Sequence, residues 1–151
     1  PTFVAFNPWI TGTGYRDLLS TIAELDLIDH VAPIQYAIRL LITAQSPLLA
    51  LPSIQALIHP FDEQALVYPW HHPDPHVDAL QQKIIRTVEE AEKAGQSRRE
   101  IFGKVWHLAN ESLSIESLSI ASDGLNEQDR LEILAKEKVR NLPKLSEPWY
   151  C

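Results

Sequence analysis

Hydrophobic and polar positions change period several times along the chain, and each change marks an element. Phe3, Val4 and Phe6 favour extended backbone and Asn7-Pro8 stops it, so Thr2–Asn7 is predicted as a short strand. Tyr15, Leu18, Leu19, Ile22 and Leu25 recur at helical spacing and predict an amphipathic helix over Gly14–Leu27, with Thr11–Gly14 as its capping loop. His30–Pro33 ends that excursion, and Ile34–Thr43 reads as a second strand. Strand, helix, strand is the pattern of a right-handed crossover between parallel strands. The expected architecture of the first part is therefore one βαβ unit.

The rest of the chain is predicted to be helical. Gln45–Pro52 is a Pro-punctuated connector and Ser53–Ile58 one or two helical turns. Pro60–Pro75 holds four prolines in sixteen residues, which forbids a long regular element. Asp74 as cap with Pro75 in the first turn starts a helix that runs to about Ala94. Val77, Leu80, Ile84, Ile85 and Val88 form its apolar face and Gly95 its stop. Ser97 with Glu100 makes a capping box, followed by an apolar stripe of Ile101, Phe102, Val105, Trp106 and Leu108-Ala109. Residues 112–124 are Ser-rich. Asn126 caps a last predicted helix, Glu127–Asn141, which Pro143 breaks. The expected fold class is α/β to α+β and helix-rich. Its parts are a βαβ segment at 1–44, a Pro-rich connector at 45–76, a helical cap region at 77–142 and a tail at 143–151.

Composition narrows the function classes. Apolar residues make up 45% and charged residues 22%, the balance of a chain that folds around a core. A net charge of −7 argues against general binding to nucleic acid or anionic membranes. No apolar run approaches the length of a spanning helix. Methionine is absent, and Pro1 already stands in an apolar run. The expectation is a piece of a longer polypeptide; the other reading is a protein whose initiator Met was removed, which Pro1 permits. A lone βαβ unit points the same way, because it leaves strand edges and one face uncovered. Self-association as a dimer is expected for the same reason. The one cysteine, Cys151, can neither form an internal disulfide nor hold a zinc or iron–sulfur centre alone, and cytoplasm is the expected compartment.

Two groups of residues could carry chemistry. His71-His72-Pro73-Asp74-Pro75-His76-Val77-Asp78 has imidazoles and carboxylates that suit zinc, manganese or iron, as in a small metal-dependent hydrolase. Against that, Pro73 and Pro75 splay the side chains, and Asp74 and Asp78 are explained by the helix start, so no metal is expected on this cluster. The second group lies on Ile34–Thr43. Alternation puts Ile34, Tyr36, Ile38, Leu40 and Ile42 on one face and Gln35, Ala37, Arg39 and Leu41 on the other. A cation in a strand that otherwise reads as buried needs an anionic partner or a wet cavity. Arg39 and Gln35 are thus candidate ligand-binding residues, with a structural ion pair as the alternative for Arg39. Asn7, at the end of the neighbouring strand, is a third candidate, its alternative being a turn before Pro8. No catalytic residue is assigned.

The runs Thr2-Phe3-Val4-Ala5-Phe6-Asn7-Pro8-Trp9, Gly14-Tyr15-Arg16-Asp17-Leu18-Leu19 and Asp29–Leu41 resemble the late barrel segment of a group of bacterial radical S-adenosylmethionine proteins. Members of that group end in a Cys-Cys-Ala-Glu-Pro tail or its selenocysteine form. The likeness continues through Pro60-Phe61-Asp62, Tyr68-Pro69-Trp70, His72-Pro73-Asp74-Pro75 and Val77-Asp78-Ala79-Leu80, and returns at Ser146-Glu147-Pro148-Trp149-Tyr150-Cys151. The resemblance implies the late strands of a partial TIM-like barrel followed by a helical cap over a substrate cavity. It implies S-adenosylmethionine and a four-iron four-sulfur cluster as cofactors of the parent protein, held by three closely spaced cysteines. This chain lacks that triplet, so it is expected to bind neither cofactor and to partner the N-terminal barrel of the same protein. Its sequence stops at Cys151, where the group continues with a second cysteine or selenocysteine. The alternative is a free-standing helical interaction domain.

Overall fold

Local capping signals set where the three long helices begin in the computed structural model, which describes residues 1–121 and side chains as far as residue 113. Helix α1 spans Gly12–Glu24, two residues earlier at its start than the periodicity predicts, because the Thr11 hydroxyl accepts the Gly14 N–H and caps it there. It stops before Leu25, and Asp26 takes a left-handed backbone (φ 52°) that ends the helix. Leu25 is consequently exposed rather than part of the buried stripe.

Short turns follow: a 3₁₀ turn at Ile28–His30, another at Pro33–Ala37, a third at Pro47–Ala50 and the single-turn helix α2, Pro52–Gln55. Helix α3 spans Pro75–Lys93, with Asp74 accepting the His76 N–H at its start. At its end Gly95 stands at φ 69°, its N–H donates to the Glu92 carbonyl, and the Gln96 N–H donates to the Ala91 carbonyl. That is a Schellman ending, and the left-handed position favours glycine. Helix α4 spans Arg98–Ala121, opened by the predicted box in which Glu100 accepts from both the backbone N–H and the hydroxyl of Ser97. The predicted helix Glu127–Asn141, with its Asn126 cap and Pro143 break, and the tail 143–151 lie outside the described residues.

The βαβ unit is not there: no β-strand forms among the described residues, and with it goes the expected barrel segment. Thr2–Asn7 contributes a single bridge residue. Phe6 donates its N–H to the Ile38 carbonyl (2.9 Å) and accepts the Leu40 N–H (2.8 Å), which makes one parallel bridge to Arg39. The reason lies at Pro33. Its fixed φ suits the first position of a turn, and the Gln35 N–H closes that turn onto the Ala32 carbonyl. The Gln35 side chain then accepts the Phe3 N–H at 3.1 Å, where a ladder would have used backbone. Beyond Leu40 the chain turns to another partner, and the Ile42 carbonyl accepts from Tyr68. Alternation fails accordingly: Ile34 is exposed, while the adjacent Tyr36 and Ala37 are both buried.

Two apolar clusters result. The larger packs Phe6, Tyr15, Leu19, Ile22, Ile28, Val31 and Tyr36 against Val77, Leu80, Ile84 and Val88 of α3 and Ile101, Phe102 and Val105 of α4. Phe6 and Tyr15 stack at 4.7 Å, and Tyr36 meets Phe102 edge-on at 5.8 Å. The smaller gathers Ile42, Ile54 and Trp70, flanked by Leu40, Leu48, Leu49, Ile58 and Tyr68. No helix among the described residues is long and apolar enough to cross a membrane.

Candidate functional site

The seam between the two clusters is where the charged and polar candidates gather. Arg39 lies two residues past the end of the Pro33–Ala37 turn, and its guanidinium reaches across to the first turn of α3. Nη1 lies 2.6 Å from Asp78 Oδ1, and Nη2 donates to the Trp70 carbonyl at 2.6 Å. The guanidinium carbon stands 3.6 Å from the centre of the Trp70 ring, a cation–π contact. The Trp70 indole in turn donates to the Leu40 carbonyl, and Asp78 Oδ2 accepts the His72 N–H at 2.9 Å. About a quarter of each charged side chain remains accessible. The anionic partner that the sequence demanded is Asp78, supplied by the chain itself, and the guanidinium is occupied on both its edge and its face.

The other two candidates each accept a backbone N–H with the side-chain oxygen. Asn7 Oδ1 accepts the Trp9 N–H at 3.0 Å, the turn before proline that the sequence offered as its alternative. Gln35 Oε1 takes the Phe3 N–H, as above. Asn7 and Arg39 are brought near each other only through the Phe6–Arg39 bridge. Gln81, which the sequence does not single out, is a buried polar side chain of the core, and it donates to the Ala37 carbonyl at 3.0 Å.

The His71–Asp78 residues do not converge. Asp74 caps α3, Asp78 is held by Arg39, and His76 is exposed. His72 Nδ1 lies 2.9 Å from the Asp74 nitrogen. The same Nδ1 lies 3.0 Å from the Asp74 carbonyl oxygen, and His72 Nε2 is a buried atom with no partner among the described residues. Among those residues no three His, Cys, Asp or Glu side chains come together as a metal site. The two buried tyrosines supply no base. Burial, with Tyr36 adding to it, pushes the Tyr15 hydroxyl well above its usual range, and it donates to the Tyr36 carbonyl at 2.8 Å. Burial likewise raises Tyr36.

Sequence reasoning missed that His59, just before the irregular segment Pro60–Pro75, meets His71 within it. Antiparallel bridges Ile58–Trp70 and Asp62–Val67 fold this stretch back on itself. Asp62 Oδ1 collects the N–H groups of Gln64 and Ala65 at the tip, and Leu66 takes φ 57° to close the turn. His59 and His71 flank the Ile58–Trp70 bridge diagonally, and His59 Nε2 meets His71 Nδ1. The available signal was the near-equal spacing of His59-Pro60 and Pro69-Trp70-His71 about Asp62–Val67, which is a weak hairpin symmetry. Comparison of the chain with protein families, with curated proteins and with solved structures gives no match.

Proposed function

We propose that this chain is the C-terminal portion of a radical S-adenosylmethionine enzyme, where it helps close the substrate cavity and has no catalytic activity of its own. The reading rests on the resemblance carried by residues 2–9, 14–19 and 29–41. One structural observation supports it. Val4, Trp9 and Leu41, all within three residues of the Phe6–Arg39 bridge along the chain, are 44%, 55% and 69% exposed. Apolar side chains left uncovered beside a pairing of only two hydrogen bonds suit a surface that another part of a protein covers. In this reading the upstream barrel holds S-adenosylmethionine and the iron–sulfur cluster, and Arg39 braces the cap instead of touching substrate.

A second reading, a free-standing helical interaction domain, draws on the exposure of Leu25, Leu51 and Leu66, which lie apart from that bridge in sequence. One experiment separates the two. The whole reading frame containing this chain is expressed, reconstituted with iron and sulfide, reduced, and assayed for 5′-deoxyadenosine. The expected outcome is cleavage of S-adenosylmethionine by the whole protein and none by this chain alone. A reading frame without a closely spaced cysteine triplet would favour the interaction domain and end the first reading.

A further inference from the structure

We infer that His59 and His71 form a two-imidazole site for a single divalent transition-metal ion of the zinc, nickel or copper type. The site is independent of the radical-enzyme reading. Backbone pairing builds it. The His59 N–H donates to the Pro69 carbonyl at 2.7 Å and the His71 N–H to the Leu57 carbonyl at 3.2 Å, on either side of the Ile58–Trp70 bridge. Side chains one residue from a bridge leave the opposite face from the bridged pair. Trp70 and Ile58 therefore face the smaller apolar cluster, while the two imidazoles share the other side of the hairpin. Diagonal neighbours of this kind lie within reach of each other.

The rings then do something that packing alone does not require. Their planes stand at 79° with centroids 4.5 Å apart, and one nitrogen of each, Nε2 of His59 and Nδ1 of His71, points at the other. Both residues are exposed, so the rings can turn apart to admit an ion between the two nitrogens, with metal–nitrogen bonds of about 2.0–2.1 Å. Imidazole nitrogen suits zinc, copper and nickel and not magnesium or calcium. Two protein ligands leave the remaining positions to water. Pro60 and Pro69, next to or near the two histidines, stiffen the hairpin on which the ligands stand. This site differs from the one considered for His71, His72 and His76: His71 pairs with a residue twelve positions upstream, across the hairpin, and not with its neighbours beyond Pro73.

Nickel ion titrated into the 151-residue chain, followed by calorimetry and by thermal unfolding, tests the assignment. The expected result is one saturable site per chain, a rise in melting temperature with added nickel, and proton release that makes binding weaken as pH falls. His59→Ala and His71→Ala should each weaken binding by about tenfold or more. Both positions are exposed, so circular dichroism and metal-free melting should match the parent chain. His76→Ala and His107→Ala, on α3 and α4, should leave the affinity unchanged. Absence of a one-to-one site at millimolar nickel overturns the inference and leaves a hydrogen-bonded histidine pair. Binding that survives either His59→Ala or His71→Ala undiminished also overturns it, because the site requires both nitrogens.

Discussion

Arg39 illustrates how one side chain can be required by its surroundings. Its charge sits between two apolar clusters and is neutralised by Asp78, stacked on Trp70 and hydrogen-bonded to the Trp70 carbonyl. Removing one partner strands the other in a partly desolvated place. Arg39→Ala is expected to lower unfolding free energy by about 1.5–3 kcal/mol, toward the lower end because both groups keep some contact with water. Arg39→Lys should lose less, since it keeps the charge but not the planar fork or the stacking. In urea unfolding, a double-mutant cycle with Asp78→Asn should give a coupling of about 0.5 kcal/mol or more. A coupling near zero would mean that the pair does not hold the seam.

Elements in this protein are made or broken by their ends. Asp74-Pro75, the Ser97–Glu100 box and Gly95 place α3 and the start of α4, each through hydrogen bonds spanning five residues or fewer. Arg99 ties the start of α4 to the Ile28–His30 turn through Asp29 at 2.6 Å, with Asp26 further off at 3.5 Å. The Asp29 hydrogen bond raises the Arg99 pKa. The box has a pH signature. Hydrogen bonds from Ser97 hold the Glu100 carboxyl below its ordinary value of 4.5. A lowered folded-state pKa adds stability that is complete above the ordinary value and is lost as pH falls through the lowered one. Glu100→Gln should therefore melt below the parent chain at neutral pH. The gap should close as pH drops well below 4.5, as melting curves across that range would show.

At the scale of the whole molecule, the two clusters predict two levels of cooperativity. The larger is built from α1, α3 and α4 and holds most of the buried side chains, whereas the smaller rests on Ile42, Ile54 and Trp70 inside turns and a hairpin. Ile84→Ala should cost about 2–5 kcal/mol and speed amide exchange everywhere. Ile54→Ala should speed exchange over residues 42–70 while α3 and α4 keep their protection. Equal loss of protection in α3 would show that the Arg39 seam fuses both clusters into one unit.

Helices α1, α3 and α4 were legible in the sequence because what defines them is local. Of the predicted apolar face, Val77, Leu80, Ile84 and Val88 are buried and Ile85 is half-buried, and the caps sit within a few residues of the groups they satisfy. Strands are different, since a strand exists only where another chain segment accepts its hydrogen bonds. The apolar run Ile34–Thr43 was real, but Pro33 turned its first half into a 3₁₀ turn and Tyr68 took over the far end. Its apolar residues went to two clusters instead of one face. The demand that Arg39 find an anion followed from its charge in an apolar run. That the anion is Asp78, thirty-nine residues on, was decided by the packing of α3 against the Pro33–Ala37 turn. His59 and His71 meet for the same kind of reason: two short bridges fold a proline-rich loop back on itself, and no local rule records which residues that brings face to face.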